Sequence, residues 1–115
     1  PVQENVKNAI VNASEVDTRL IRRSLTNTER VVNNEAVERL IEKEKALGDK
    51  LTFEDILDEV AGVYPKIMHE GTMDEGAWSC GMVAGLVNDI PTVQELIDSI
   101  MSQADEIINN RLQKL

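Results

Sequence analysis

The sequence is poor in the residues on which most catalytic and metal sites depend. It contains one cysteine, Cys80, and one histidine, His69, so it can form neither an internal disulfide nor a histidine-rich metal site. Aromatic residues are also scarce, with one Trp, one Tyr and one Phe, so the core must be aliphatic, as in packed helices. We therefore expect no catalytic residue and no metal ligand in this chain.

Basic residues and long apolar runs are scarce as well. Lys and Arg number 12 against 21 Asp and Glu, and the net charge of −9 disfavours nucleic acid and anionic membranes as partners. No apolar run approaches the roughly 18 residues of a membrane span. The single cysteine favours a reducing, cytoplasmic location. The length of 115 residues and the hydrophobic share of 42% indicate one globular domain.

The strongest helix signal lies at residues 92–115. Thr92 and Glu95 form a capping box, which places the start of this helix at Thr92. Apolar residues then recur at spacings of three and four and make one stripe: Val93, Leu96, Ile97, Ile100, Met101, Ala104, Ile107, Ile108 and Leu112. A stripe of this size predicts that the helix packs against another protein surface.

Other segments complete a mainly α fold of about five helices. Helices are predicted at Glu4–Ala13, at Glu35–Leu47 after the N-cap Asn34, and at Phe53–Val60. The acidic residues of the last of these, Glu54, Asp55, Asp58 and Glu59, are interpreted as a solvated helix face. Residues 16–25 fit both a strand and a helical stripe, and we favour one short extended segment near residues 17–23. The predicted organisation is a single helical unit, 1–115: a first helix and extended segment in 1–34, a helical cap in 35–69, and a glycine segment with the terminal helix in 70–115.

The segment 70–86 holds four of the six glycines. Gly81 and Gly85 are four residues apart, so on one helix they would form a bare groove. Such a groove fits either close packing with another backbone or approach by a flat ligand. Trp78 is interpreted mainly as a packing anchor against residues 71–76.

Residues 71–97 resemble a known enzyme family. The run from Gly71 to Leu86, followed by Asn88-Asp89-Ile90-Pro91-Thr92, is similar to the C-terminal part of the FMN-dependent nitronate monooxygenases, formerly called 2-nitropropane dioxygenases. The opening residues 1–7 and the stretch 17–34 resemble the segments that follow the last barrel strands of that family. The enoyl-reductase branch of the same flavoprotein superfamily shares the glycine segment, so nitronate and enoyl-thioester substrates both stay open.

The resemblance implies a helical C-terminal region of a (β/α)₈ flavoenzyme without its barrel. Ser79, Cys80, Gly81 and Met82 match the segment that approaches the flavin, and the family often has Gln at the position of Met82. The family's catalytic histidine lies upstream of this region and is not His69. The resemblance therefore implies FMN as the cofactor of the parent oxidoreductase, with none expected on this chain alone.

Three functions follow from these observations. In the first, the chain is part of the wall and cap of a flavin site, and its partner is the barrel. In the second, it is a stand-alone helical interaction module that forms a homodimer through the helix of residues 92–115. The third, an enzyme that uses Cys80 as a nucleophile, is disfavoured because no base lies near Cys80 in the sequence.

Overall fold

The computed structural model describes residues 2–114 and is built mainly from helices, with one two-stranded antiparallel sheet. Its elements in chain order are α1 (Glu4–Asn12), β1 (Thr18–Ile21), β2 (Glu29–Val32), α2 (Glu35–Leu47), α3 (Leu57–Val60), α4 (Val63–Pro65) and α5 (Val93–Asn110). Short 3-10 turns precede α3 at Glu54–Ile56 and end the glycine segment at Met82–Leu86, and a π-helical turn, Lys66–Glu70, continues α4. The mainly α fold with an extended segment near residues 17–23 is confirmed. Pro1 and Leu115, which the predicted segments include, lie outside the described residues.

The strands β1 and β2 form a hairpin, and the sequence patterns predict only its first strand. Thr18 pairs with Val32 and Ile21 pairs with Glu29. The connection has two residues at positive φ, Arg22 at 58° and Thr26 at 53°, where glycine or asparagine would be usual. Because neither positive-φ position is glycine or asparagine, the local sequence does not indicate a hairpin and does not predict β2.

The core consists of two clusters on opposite sides of the hairpin. The first contains Ile21, Val31, Val37, Leu40, Leu51, Ile56 and Ala77. The second contains Val6, Val63, Ile67 and Trp78, with Val32 packed against it. Successive residues of a strand point to opposite faces, so Val31 and Val32 place β2 between the two clusters.

Helix α2 starts where the sequence predicts and is joined to the glycine segment by its cap. The Asn34 side chain accepts a hydrogen bond of 2.9 Å from the Val37 backbone N–H. Its amide group also donates to the carbonyl oxygens of Met73 and Gly76, both at 2.9 Å. One side chain therefore caps α2 and fixes the loop that leads into residues 77–82.

The prediction of a solvated acidic face at residues 54–59 is wrong at Glu59, whose exposed fraction is only 3%. Two cations from α2 surround its carboxylate: Lys43 Nζ lies 2.9 Å from Oε2, and Arg39 Nε lies 3.8 Å from Oε1. The Glu59 carbonyl oxygen accepts a hydrogen bond of 2.7 Å from the Ala77 N–H. Glu59 thus joins α2, α3 and the glycine segment, and it is buried because its charge is paired.

The helix α5 has the predicted capping box but leaves its apolar stripe uncovered. The Thr92 hydroxyl accepts from the Glu95 N–H, and the Glu95 carboxylate accepts from the Thr92 N–H. Every residue of α5 except Ala104 is exposed, and Ile100 in the middle of the stripe is 52% exposed. None of the helices within residues 2–114 combines the length and apolar character that crossing a bilayer requires.

Candidate functional site

The segment 78–80 runs beside β2 and is joined to it by an isolated β-bridge. The Val32 N–H donates to the Trp78 carbonyl oxygen at 3.2 Å, and the Cys80 N–H donates to the Arg30 carbonyl oxygen at 3.2 Å. Val31 and Ser79 form an antiparallel bridge between these two bonds. The backbone that leads to Gly81 is therefore fixed to the sheet, although the glycines around it suggested a turn or a helix.

Ser79 is held at both its amide and its hydroxyl. Its backbone N–H donates to the Tyr64 hydroxyl at 2.7 Å, and its side-chain hydroxyl donates to the Glu29 carboxylate. The same carboxylate accepts from the guanidinium of Arg22 through its other oxygen. Sequence reasoning missed Tyr64 and Glu29, since they lie 15 and 50 residues from Ser79 and no local pattern joins them to it.

Cys80 is half-buried, and this burial disfavours its reactive thiolate form. Burial raises the pKa of its thiol, so the thiolate is disfavoured at neutral pH. Its Sγ lies 3.7 Å from the carbonyl oxygen of Gly81. These contacts fit a small packing residue beside the site better than they fit a nucleophile.

The groove predicted from Gly81 and Gly85 does not form. Gly81 precedes the 3-10 turn with extended backbone, φ −80° and ψ 163°, whereas Gly85 lies within the turn, so the two are not on one helix. A Cβ at Gly85 would come 2.8 Å from the backbone nitrogen of Glu15, which makes this glycine a site of close packing. A Cβ at Gly81 would meet nothing closer than the Val83 side chain at 3.7 Å, so the space beside Gly81 is open.

Met82 and the residues after it extend this open side as an apolar surface. Met82, Val83 and Leu86 are exposed, and with Glu15 and Gly85 they line a shallow groove. Exposed apolar side chains in one place indicate a contact surface for another molecule or another part of a protein. The segment from Ser79 to Met82 therefore has a backbone that is fixed to β2 at its start. Its outer side faces open space at Gly81 and Met82.

Trp78 lies on the inner side of this segment, as the packing interpretation predicts. It is 1% exposed and packs with Val6, Val63 and Ile67. Gly76 makes room for this cluster, since a Cβ there would lie 2.3 Å from the Cβ of Val63. The Trp78 ring is thus part of the core that supports the surface segment.

Among the described residues, His69 and the acidic groups do not assemble into a second site. The His69 side chain is exposed, and its carbonyl oxygen accepts a hydrogen bond of 2.7 Å from Nε2 of Gln3, the residue before α1. Within residues 2–114, His, Cys, Asp and Glu side chains form no group of three or more that could hold a metal ion.

Comparison with known proteins identifies the family. The sequence model of the nitronate monooxygenase family matches residues 1–103, and the chain belongs to this family. The fold is similar to that of FabK from Thermotoga maritima, with a TM-score of 0.83 and 23% identity over 100% of this chain. A point mutant of the same FabK gives a TM-score of 0.74 and 22% identity over 99% of the chain.

The chain spans about a third of the length of these structures. It covers 35% of the FabK chain and 32% of the mutant chain. The helical fold described above is therefore shared with one part of a larger protein.

Proposed function

We propose that this chain is the C-terminal portion of a nitronate monooxygenase-like FMN oxidoreductase, and that it forms part of the wall and cap of the flavin site. Family membership supports the flavoenzyme class. The observation that carries the proposal is the open backbone at Gly81, which continues a segment fixed to β2. The chain is not catalytic alone, and the parent enzyme oxidises a nitronate.

The residues at this surface fit one side of a flavin. Gly81 leaves space for the close approach of a flat ring, because it has no side chain and its flanking backbone is extended. Met82 offers a polarizable, exposed thioether to such a ring, and Ser79 offers a polar group. In the parent, Ser79, Cys80, Gly81 and Met82 would border the FMN, which supplies the electron transfer chemistry when bound.

The remaining surface gives this chain the second part of its role, which is to exclude water. The apolar residues of the 82–86 turn would lie against the substrate side of the flavin or against the body that carries it. Burying apolar surface there would strengthen polar contacts inside the site by lowering the local dielectric.

We further propose that α5 packs against the flavin-carrying barrel. The helix is amphipathic and has a capping box, yet Leu96, Ile97 and Ile100 of its apolar stripe are each about half exposed. Packing an apolar helix face is worth roughly 25 cal/mol per Å² of area removed from water, so leaving this face in solvent is unfavourable. A covering body would recover that free energy.

A second candidate is that α5 pairs with α5 of another copy of this chain. The exposed stripe favours this function as well, since a two-fold contact would bury the same residues on both copies. Light scattering of the purified chain distinguishes the two candidates. A dimer that Ile100→Asp converts to a monomer supports pairing between copies, and a wild-type monomer excludes it.

The proposal is tested with a chimera in which this chain replaces the matching third of the Thermotoga maritima FabK. The measurement is the FMN bound per polypeptide after purification, with the 115-residue chain alone as the comparison. We expect the chimera to retain FMN and the isolated chain to bind none at micromolar FMN. A folded chimera without FMN, or micromolar binding by the isolated chain, would contradict the proposal.

A further inference from the structure

The carboxylate of Glu29 determines what the Ser79 side chain can offer to a ligand. Glu29 is the first residue of β2 and accepts from Arg22 with one oxygen and from the Ser79 hydroxyl with the other. A serine hydroxyl has a single hydrogen and two lone pairs. Because that hydrogen is given to Glu29, Ser79 Oγ can only accept a hydrogen bond on its outer, exposed side.

The Tyr64 hydroxyl has the opposite role, because it accepts a hydrogen bond from Ser79 and can donate one to a ligand. Its phenolic oxygen accepts the Ser79 amide proton at 2.7 Å. The phenolic hydrogen must then point away from Ser79, and it is free to donate. Tyr64 is 43% exposed, so this donor is accessible at the surface that also presents Gly81.

We propose that Glu29 is a positioning residue that makes Ser79 an acceptor, and that Tyr64 is a further ligand-contacting residue that acts as a donor beside it. This inference rests on the proposed function. An acceptor next to a donor complements a ring edge on which an N–H group neighbours a carbonyl oxygen, and the pyrimidine edge of a flavin has this pattern. The site would discriminate against flat rings that lack such an edge, because a ring that covered Ser79 and Tyr64 without pairing them would remove their polar groups from water at a cost.

The positioning is tested first on the full 115-residue chain by NMR, without flavin. In Tyr64→Phe the Ser79 amide loses its acceptor, and we expect its hydrogen exchange to accelerate by about tenfold. In Glu29→Leu we expect the Ser79 side chain to lose its single χ1 rotamer, measured from three-bond couplings. Glu42→Leu, at an exposed position of α2, is the control and should change neither quantity. Unchanged exchange in the Phe variant, or unchanged couplings in the Leu variant, overturns the inference.

The contact with the ligand is tested by FMN affinity in the FabK chimera. We expect Glu29→Leu and Ser79→Ala each to weaken FMN binding by about fivefold, and the double variant by no more than either alone. Glu29→Gln, which keeps an acceptor oxygen, should restore most of the affinity. Should Glu29→Leu fail to fold, Tyr64→Phe decides instead, with an expected loss of about fivefold.

The two proposals fail in different ways. Independent, multiplying effects of Glu29→Leu and Ser79→Ala in a chimera that binds FMN overturn the positioning role and leave the proposed function standing. A Gln variant as weak as the Leu variant does the same. A folded chimera with no FMN overturns the proposed function and this inference with it.

Discussion

Replacing Gly76 by alanine should destabilise the protein through one defined contact. A Cβ at residue 76 would lie 2.3 Å from the Val63 Cβ, whereas carbon atoms pack at about 3.5–4.0 Å. Val63 is buried and β-branched, so it cannot rotate away without disturbing the cluster around Trp78. Overpacking of this kind costs about 1–3 kcal/mol.

The opposing contribution comes from the unfolded chain. Gly→Ala lowers the entropy of the unfolded state and stabilises the protein by about 0.4–1 kcal/mol where the backbone permits it. Gly76 is not among the residues at positive φ, so its backbone allows alanine. The net expectation is a loss of about 1–2 kcal/mol, which corresponds to a fall in Tm of about 4–8 °C.

Urea denaturation and thermal melting of the 115-residue chain measure this effect, and Gly81→Ala is the matched control. Gly81 also lacks positive φ, and its new Cβ would make only an ordinary contact at 3.7 Å. We expect Gly81→Ala to be neutral or slightly stabilising, within about 0.5 kcal/mol. Equal stabilities of the two variants would refute the reasoning.

Three further predictions concern charge. Lys43→Met should lower the free energy of unfolding, measured by urea denaturation, by about 2 kcal/mol, because it leaves the buried Glu59 carboxylate with Arg39 at 3.8 Å as its cation. Adding Glu59→Gln to the same chain should recover part of that loss. Additive effects of the two substitutions would contradict the pairing. Hydrogen bonds from the Thr92 backbone and hydroxyl lower the pKa of Glu95, so its contribution to capping α5 is complete above the ordinary pKa of 4.5 and is lost as the pH falls through the lower folded value. Helicity of α5 followed by NMR should decline in acid for this reason, and Glu95→Gln should remove that part of the pH dependence. Burial raises the pKa of Cys80, so iodoacetamide should alkylate it more slowly than it alkylates glutathione at neutral pH, and an equal rate would show that the thiol is not protected.

The features that the sequence predicts correctly are held by local interactions. The capping box of α5 joins residues three apart, Thr92 and Glu95, and the N-cap of α2 likewise joins Asn34 to Val37. Such bonds are determined by the order of neighbouring residues. Apolar spacing similarly predicts the exposed stripe of α5, although not what covers it.

The features that the sequence does not predict depend on distant partners. The sequence indicates that Glu59 belongs to an acidic surface, but α2 brings Lys43 to it and buries it. The bridge of residues 78–80 to β2 depends on backbone groups of β2 that lie far away in the sequence. The resemblance implies a role for residues 79–82, which stays a prediction, and it points to neither Glu29 nor Tyr64. Long-range packing decides which polar groups meet, and a single sequence does not encode that in any local pattern.

The most direct test of the central claim is steric. Gly81→Val, made in the FabK chimera, places a branched side chain where we propose that the flavin ring approaches. We expect FMN affinity to fall by more than about tenfold. The Tm should stay close to that of the control Ala46→Val, whose side chain is exposed on α2. Equal FMN affinity in the two variants would contradict the claim that residues 79–82 border the flavin.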